Sequence, residues 1–281
     1  MAAIWGTTWT VIRGQLGTVP APWSVAWRFT AAALVMAAYV GVTRKSVALG
    51  RRGHLFAATV GLFQFALNFN LVYAAESHVT SGLVAVMFAL LVVPNALLGW
   101  IFLRHRITTG FAFGALLGIV GVLMMFKDEL TGPALGRNAG LGLGMTALAV
   151  LCASVANVMQ ASGFAKRLPV EPLLATALAY GAAIDTGFAW VTAGPPTIGT
   201  GAVYLGGLAY LALGATVAAF LLYYGLIRAI GPARAGYANL IVPFVAMALS
   251  TVFEGYVWTF WAIAGGALAA CGLVLALRNR A

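Results

Sequence analysis

Gln64 and Asn68 stand one helical turn apart inside an otherwise apolar run, and Ser154, Asn157 and Gln160 recur at helical spacing inside another. Residues three or four apart share a helix face, so each set aims several hydrogen-bonding groups in one direction. Trp5, Thr8 and Trp9 do the same in the first apolar stretch, and Thr216, Phe220, Tyr223 and Tyr224 in the eighth. Met87, Phe88 and Asn95 lie in the fourth stretch, and Asn239, Pro243, Met247 and Ser250 form a stripe in the ninth. Amides and hydroxyls donate and accept hydrogen bonds without titrating, and tryptophan and tyrosine rings stack on flat apolar groups. This is chemistry for holding a small organic solute rather than transforming it. An amide facing lipid is costly, so these side chains should point inward. Interhelical hydrogen bonds of about 0.6 kcal/mol each would account for any single Ser or Thr. Four amides in the middle regions of two halves of the chain favour a cavity instead. The expected substrate-binding set is Trp5, Thr8, Trp9, Gln64, Asn68, Met87, Ser154, Asn157, Gln160, Tyr223 and Asn239.

Catalytic patterns are missing from the sequence. There is no Gly-x-x-x-x-Gly-Lys-Ser/Thr loop for direct ATP use, and no His-Glu-x-x-His or paired intramembrane aspartates for proteolysis. The run Gly140, Gly142, Gly144 follows no strand, so it is not a dinucleotide loop. No lysine lies mid-span to anchor a retinal. Of six acidic residues only Asp185 falls well inside a helix. Cys152 and Cys271 both lie within spans, without metal-ligand partners nearby in sequence. The reading is a non-enzyme with no cofactor and no metal. Asp185 could pair with Arg28, titrate as a proton-coupling site, or bond neighbouring backbone. Arg28 lies six residues from one end of its span and could snorkel to the interface or serve a structural task.

The elements that carry these residues are ten apolar stretches, at 1–17, 22–42, 53–73, 80–102, 107–126, 141–164, 172–193, 201–227, 235–253 and 257–277. Most approach the ~20 residues needed to cross a hydrocarbon core of ~30 Å. Apolar residues make up 62% of the chain and charged residues 8%, against about a quarter charged in soluble domains. Continuous apolar runs, rather than ~10-residue alternating segments, exclude a β-barrel. The fold class is therefore an all-α polytopic membrane protein. The first stretch lacks the basic flank and cleavage site of a signal peptide and should be a retained helix.

Charge sets the orientation. Arg44, Lys45, Arg51, Arg52, Arg104, Arg106, Lys166, Arg167, Arg228, Arg234, Arg278 and Arg280 follow even-numbered spans, whereas only Arg13, Lys127 and Arg137 follow odd-numbered ones. Basic residues in short loops stay in the cytoplasm, so both termini should be cytoplasmic. The net charge of +10 belongs to that topology and to the anionic inner leaflet, not to nucleic acid.

The chain repeats weakly at half its length. Val93-Pro94 matches Val242-Pro243 at an offset of 149, which also carries His105 onto Glu254, Trp5 onto Ser154 and Thr8 onto Asn157. Gly114 and Gly121 match Gly265 and Gly272 at an offset of 151. Five helices per copy is an odd number, so the copies should face opposite ways, with a binding site near the midplane between them. The expected division is a first repeat at 1–126, an external linker at 127–140 and a second, inverted repeat at 141–281. Pro94 and Pro243 break backbone hydrogen bonds mid-span, where they could bend as gates or hold static kinks. Glycines 110, 114, 118 and 121, and 265, 266 and 272, should be packing surfaces, either between the repeats or in a dimer.

Trp5-Gly6-Thr7-Thr8-Trp9 with Arg13, Trp27-Arg28-Phe29, Gly231-Pro232-Ala233-Arg234-Ala235-Gly236, Pro243 and Phe253-Glu254-Gly255 resemble the drug/metabolite transporter (DMT) superfamily, specifically its EamA-type ten-helix carriers. The resemblance covers essentially the whole chain. It departs at His105, where the family usually has a glutamate. It implies a central cavity surrounded by helices 1, 3, 4, 6, 8 and 9, and a structural task for Arg28. The resulting expectation is a secondary transporter in a bacterial-type inner membrane. It would export small organic metabolites, with amino acids bearing apolar or aromatic side chains suiting the cavity best, by alternating access. Its partners would be the solute and the bilayer, as a monomer or a homodimer. The alternatives are a proton-coupled exporter of organic cations working through Asp185, and a non-transporting scaffold or lipid flippase.

Overall fold

The computed structural model describes residues 1–45, 48–104, 107–125, 127, 137–235, 242–253 and 257–278. Among these residues ten long helices follow one another: α1 (Ala2–Gln15), α2 (Ala21–Val42), α3 (Gly50–Glu76), α4 (Ser81–Leu103), α5 (Thr109–Met125), α6 (Arg137–Ala161), α7 (Val170–Ala193), α8 (Ala202–Ile230), α9 (Val242–Phe253) and α10 (Phe260–Arg278). Single helical turns at Gly163–Lys166 and Pro232–Ala235 sit in the connections. No strand occurs among the described residues. Six of the helices, α2, α3, α4, α6, α7 and α8, contain stretches long and apolar enough to cross a membrane. The chain is an all-α polytopic membrane protein.

The sequence explains where the helices stop. Gly194 and Gly231 end α7 and α8 at φ of 76° and 83°, a region that a side chain disfavours. The interior is apolar, and so is much of the surface. Leu34, Val42, Phe102, Val191, Val203 and Phe260 are exposed, while Arg28, Gln64, Asn68, Glu76, Ser154, Asn157 and Asp185 are buried. A hydrocarbon surround accepts the first group, and the second needs partners inside.

Packing follows a symmetric pattern. α5 pairs with α10 and α2 with α7; α1 packs on α9 as α6 packs on α4; α3 meets α7 as α8 meets α2. Advancing every helix by five maps these contacts onto themselves. The backbone repeats too. α3 contains a π-helical segment, Gly61–Leu67, and α8 another, Tyr210–Ala218; they begin 149 residues apart, the offset that relates the two prolines. Such wide turns are rare and cluster at functional sites.

Glycines mark the closest crossings. A Cβ on Gly121 would lie 2.4 Å from the Ala269 nitrogen, and one on Gly272 would lie 2.5 Å from the Gly114 carbonyl oxygen. The glycine stripes of α5 and α10 thus face each other within one chain. Gly61 and Gly181 give α3 and α7 a similar approach.

Pro94 acts on α4 as its chemistry requires. The helix is interrupted at Leu90 and Leu91, where the chain turns through bonds from Leu90 N to Met87 O and from Val93 N to Leu90 O. Proline cannot donate to the carbonyl four residues back, and its ring crowds that carbonyl, here Leu90. Pro243 is the second residue of α9 as described; its side chain and residues 236–241, Asn239 among them, lie outside the described residues. So do His105, Glu254 and residues 128–136 of the expected linker. α6 begins at Arg137, inside the span assigned to that linker.

Candidate functional site

A cavity opens between the two halves of the bundle, walled by α1, α2, α3, α4, α6, α8 and the start of α9. Its lining comprises Trp5, Thr8, Trp9, Arg28, Gln64, Asn68, Phe69, Phe88, Ala89, Leu91, Ala153, Asn157, Phe220, Tyr223 and Val242. The cavity and its mouth hold ≈590 Å³ of empty space, of which ≈70 Å³ admits the centre of a water molecule. Seven of the expected binding residues meet here: Trp5, Thr8, Trp9, Gln64, Asn68, Asn157 and Tyr223.

Aromatic rings form much of the wall. Trp5 packs edge-on against Phe220 and Tyr223, with centroids 5.4 and 4.9 Å apart, and its indole nitrogen donates to the Ala215 carbonyl at 3.0 Å. Trp9 meets Phe88 at 5.0 Å. Polar groups punctuate this surface. The Asn157 amide reaches Asn95 Oδ1 and the Tyr223 hydroxyl, both at 3.5 Å, near the limit of a hydrogen bond. Asn68 donates to the Gln64 carbonyl at 3.2 Å. The carbonyl oxygens of the Gln64, Asn68 and Asn157 side chains are buried with no protein partner, as is the Trp9 indole nitrogen. Buried polar atoms left in this state cost free energy until something pairs with them.

The π segments shape the site. Gln64 sits in the α3 segment, whose extra residue brings Phe69, five positions on, to the same wall. Thr216 sits in the α8 segment and donates to the Leu211 carbonyl five residues back at 2.8 Å. Its oxygen in turn accepts from Arg28 Nε at 3.1 Å. A period of 3.6 residues cannot place Phe69 beside Gln64, so this wall was not legible in the sequence.

Arg28 does not snorkel. It is 1% exposed, packs over the Phe69 ring at 4.4 Å, and lies within the electrostatic reach of Tyr73 and Glu76. Glu76 ends α3 fully buried, and Arg13 donates to its backbone carbonyl. The packing of α2 against α8 turns the guanidinium inward and leaves it no route to the bundle's surface.

Other expected residues fall elsewhere. Gln160 accepts from Arg228 Nη2 at 3.2 Å near the end of α6 and does not line the cavity. Ser154 is buried one position from Ala153, which takes the place on the wall that faces in register with Asn157. Met87 is likewise displaced by Phe88, the next residue round the helix.

Asp185 does not pair with Arg28. Its Oδ1 accepts from Asn70 Nδ2 at 2.7 Å, and it lines a separate pocket with Pro22, Leu67, Met145 and Phe188. The physical reason is rotational: Asp185 meets Asn70 on one face of α3, whereas Arg28 lies over Phe69 on another and bonds Thr216 of α8. Asp185→Asn is therefore expected to leave solute binding in the central cavity within about twofold of wild type, as for substitutions away from a site; equilibrium binding to the purified protein checks this. Beyond α2, Lys45 pairs with Glu171 across an exposed contact, and that hydrogen bond raises the lysine pKa above its ordinary value. Exposed pairs of this kind contribute little stability.

The EamA-like transporter family matches residues 1–127 and again 140–278. The chain belongs to the EamA-like transporter family. That placement points to a transporter rather than an enzyme. This EamA protein is 25% identical over 256 residues to Protein PagO of Salmonella typhimurium, a match covering 90% of this chain and 82% of PagO. It is 22% identical over 126 residues to an uncharacterized transporter of Buchnera aphidicola subsp. Schizaphis graminum, covering 45% of this chain and 42% of that protein. A protein crystal structure superposes with a TM-score of 0.72 at 20% identity, covering 100% of this chain and 96% of the other. It shares the fold.

Proposed function

We propose that this EamA protein is a secondary transporter that exports small organic metabolites, amino acids with apolar or aromatic side chains, by alternating access through the central cavity. The observation that carries the reading is the cavity wall itself: amides, indoles, phenyl rings and one arginine, with no acidic side chain among the described lining residues. Aromatic faces stack on an aromatic or apolar side chain, and amides bond neutral or zwitterionic groups. Organic cations would favour a carboxylate at the wall, and Asp185 lies in another pocket. The solute class is that of the aromatic amino-acid exporter YddG, the family member whose chemistry fits best. The asymmetry of basic loops supports a bacterial-type inner membrane with both termini in the cytoplasm. The shift-by-five contact pattern supports two inverted repeats at 1–126 and 141–281 joined by 127–140. The α5–α10 crossing within one chain accounts for these glycine stripes without a dimer, and both a monomer and a homodimer fit it.

Proteoliposome uptake of labelled tryptophan, phenylalanine, threonine, methionine and a quaternary ammonium, with and without a pH gradient, tests the reading. Saturable amino-acid uptake is expected, falling about tenfold in Gln64→Ala and Asn157→Ala, as each removes a hydrogen-bond partner worth about 1 kcal/mol or more. Uptake of the cation alone, driven by the gradient and abolished by Asp185→Asn, would establish the proton-coupled alternative instead. No movement of any solute would leave the scaffold or flippase class.

A further inference from the structure

Arg28 is the one fully charged side chain on the cavity wall among the described residues, and its surroundings are incomplete. Thr216 accepts from Nε, and Tyr73 and then Glu76 favour the charged guanidinium, yet Nη1 is buried with no hydrogen-bond partner. A buried guanidinium with an open donor is expensive, and a carboxylate is the group whose geometry and charge suit it. The Trp9 indole N–H is a second buried donor without a partner on the same wall. Gln64 and Asn68 present buried acceptor oxygens there that are also unpaired. One cavity therefore holds open donors, one of them cationic, together with open acceptors.

We infer that Arg28 binds the carboxylate of the solute, while the Gln64 and Asn68 side-chain oxygens accept from its ammonium, so that the carried class is the zwitterionic α-amino acid and not the corresponding amine. This rests on the carrier reading above and narrows it. Arg28 then decides specificity: a solute without a carboxylate leaves Nη1 unpaired in the bound state, and sites built around a polar group reject analogues that lack it. Tyr73 and Glu76 keep the arginine tolerable while the cavity is empty, and the bond to Thr216 holds the guanidinium plane in place before the solute arrives.

The test is competition against labelled tryptophan in proteoliposomes by tryptophan, tryptophanamide and tryptamine. Wild type is expected to prefer tryptophan over both carboxylate-free analogues by at least about tenfold, the order of one charge-assisted hydrogen bond. Arg28→Gln should lower tryptophan affinity by a similar factor and leave tryptamine competition unchanged, which removes the preference. A purely structural arginine would instead weaken all three ligands together, and that result overturns the inference. So does a wild-type protein that takes tryptamine or tryptophanamide as readily as tryptophan, an outcome that needs no folded variant. If wild type binds none of the three, the amino-acid reading itself fails, and this inference with it.

Discussion

Gly265→Leu is expected to unseat α10 from α5 and to cause the largest loss of stability of any single substitution considered. A Cβ at Gly265 would lie 2.5 Å from the Gly121 carbonyl oxygen and 2.6 Å from the Met125 nitrogen. Both are backbone atoms, so no rotamer change relieves the collision, and a leucine adds three carbons beyond it. Overpacking in cores costs about 1–3 kcal/mol where side chains can yield. Rigid partners put this substitution at the upper end or above. Within a membrane, helix association depends on such close backbone approach, because lipid supplies no hydrophobic force between helices. Thermal unfolding in detergent should show a drop of several degrees or loss of folded protein. Gly144→Ala is the matched contrast. Nothing lies within 4 Å of a Cβ at Gly144, so removing glycine's backbone freedom should be neutral or stabilise by about 0.5–1 kcal/mol. Equal effects at the two glycines would refute the packing argument.

Trp5→Ala is the second. The indole stacks edge-on against Phe220 and Tyr223, lines the cavity, and donates to Ala215 inside the π segment of α8. Truncation removes an aromatic wall worth about 0.5–1.5 kcal/mol per ring contact and leaves a carbonyl of the wide turn without its donor. On the proposed amino-acid carrier reading, the expected result is a KM for uptake raised by roughly tenfold or more. Trp5→Phe separates the two contributions, since it keeps a ring against Phe220 and loses the bond to Ala215. An intermediate KM for the phenylalanine variant assigns part of the effect to each. An unchanged KM in Trp5→Ala would mean that this wall does not touch the solute.

The comparison of expectation with structure is informative at particular residues. Gln64, Asn68 and Asn157 line the cavity because an amide in an apolar helix has few places to go: lipid is closed to it by desolvation, so it points inward wherever the helix lies. Arg28 escaped because its charge could be satisfied in two ways. Snorkelling and burial differ only in which neighbour the helix faces, and the position of α8 decides that. Gln160 was misplaced for a related reason. It shares a helix face with Asn157, but Arg228 from α8 claims its oxygen at the bundle's end.

What the sequence determined by itself is the part governed by transfer from water to hydrocarbon and by local chain chemistry: an all-α membrane protein, the ten helical stretches, the offset of 149 and the break that Pro94 imposes on α4. Those follow from each residue's own solvation and backbone geometry. Tertiary structure alone decided which polar residues share a cavity, that the α5 and α10 glycines meet each other, and that Asp185 answers to Asn70 rather than Arg28. It also brought Phe69 round to Gln64, through a wide turn in which each residue is locally unremarked. These outcomes depend on helix rotation and on the partner across the interface, and a one-dimensional pattern of apolar and polar residues leaves both quantities free.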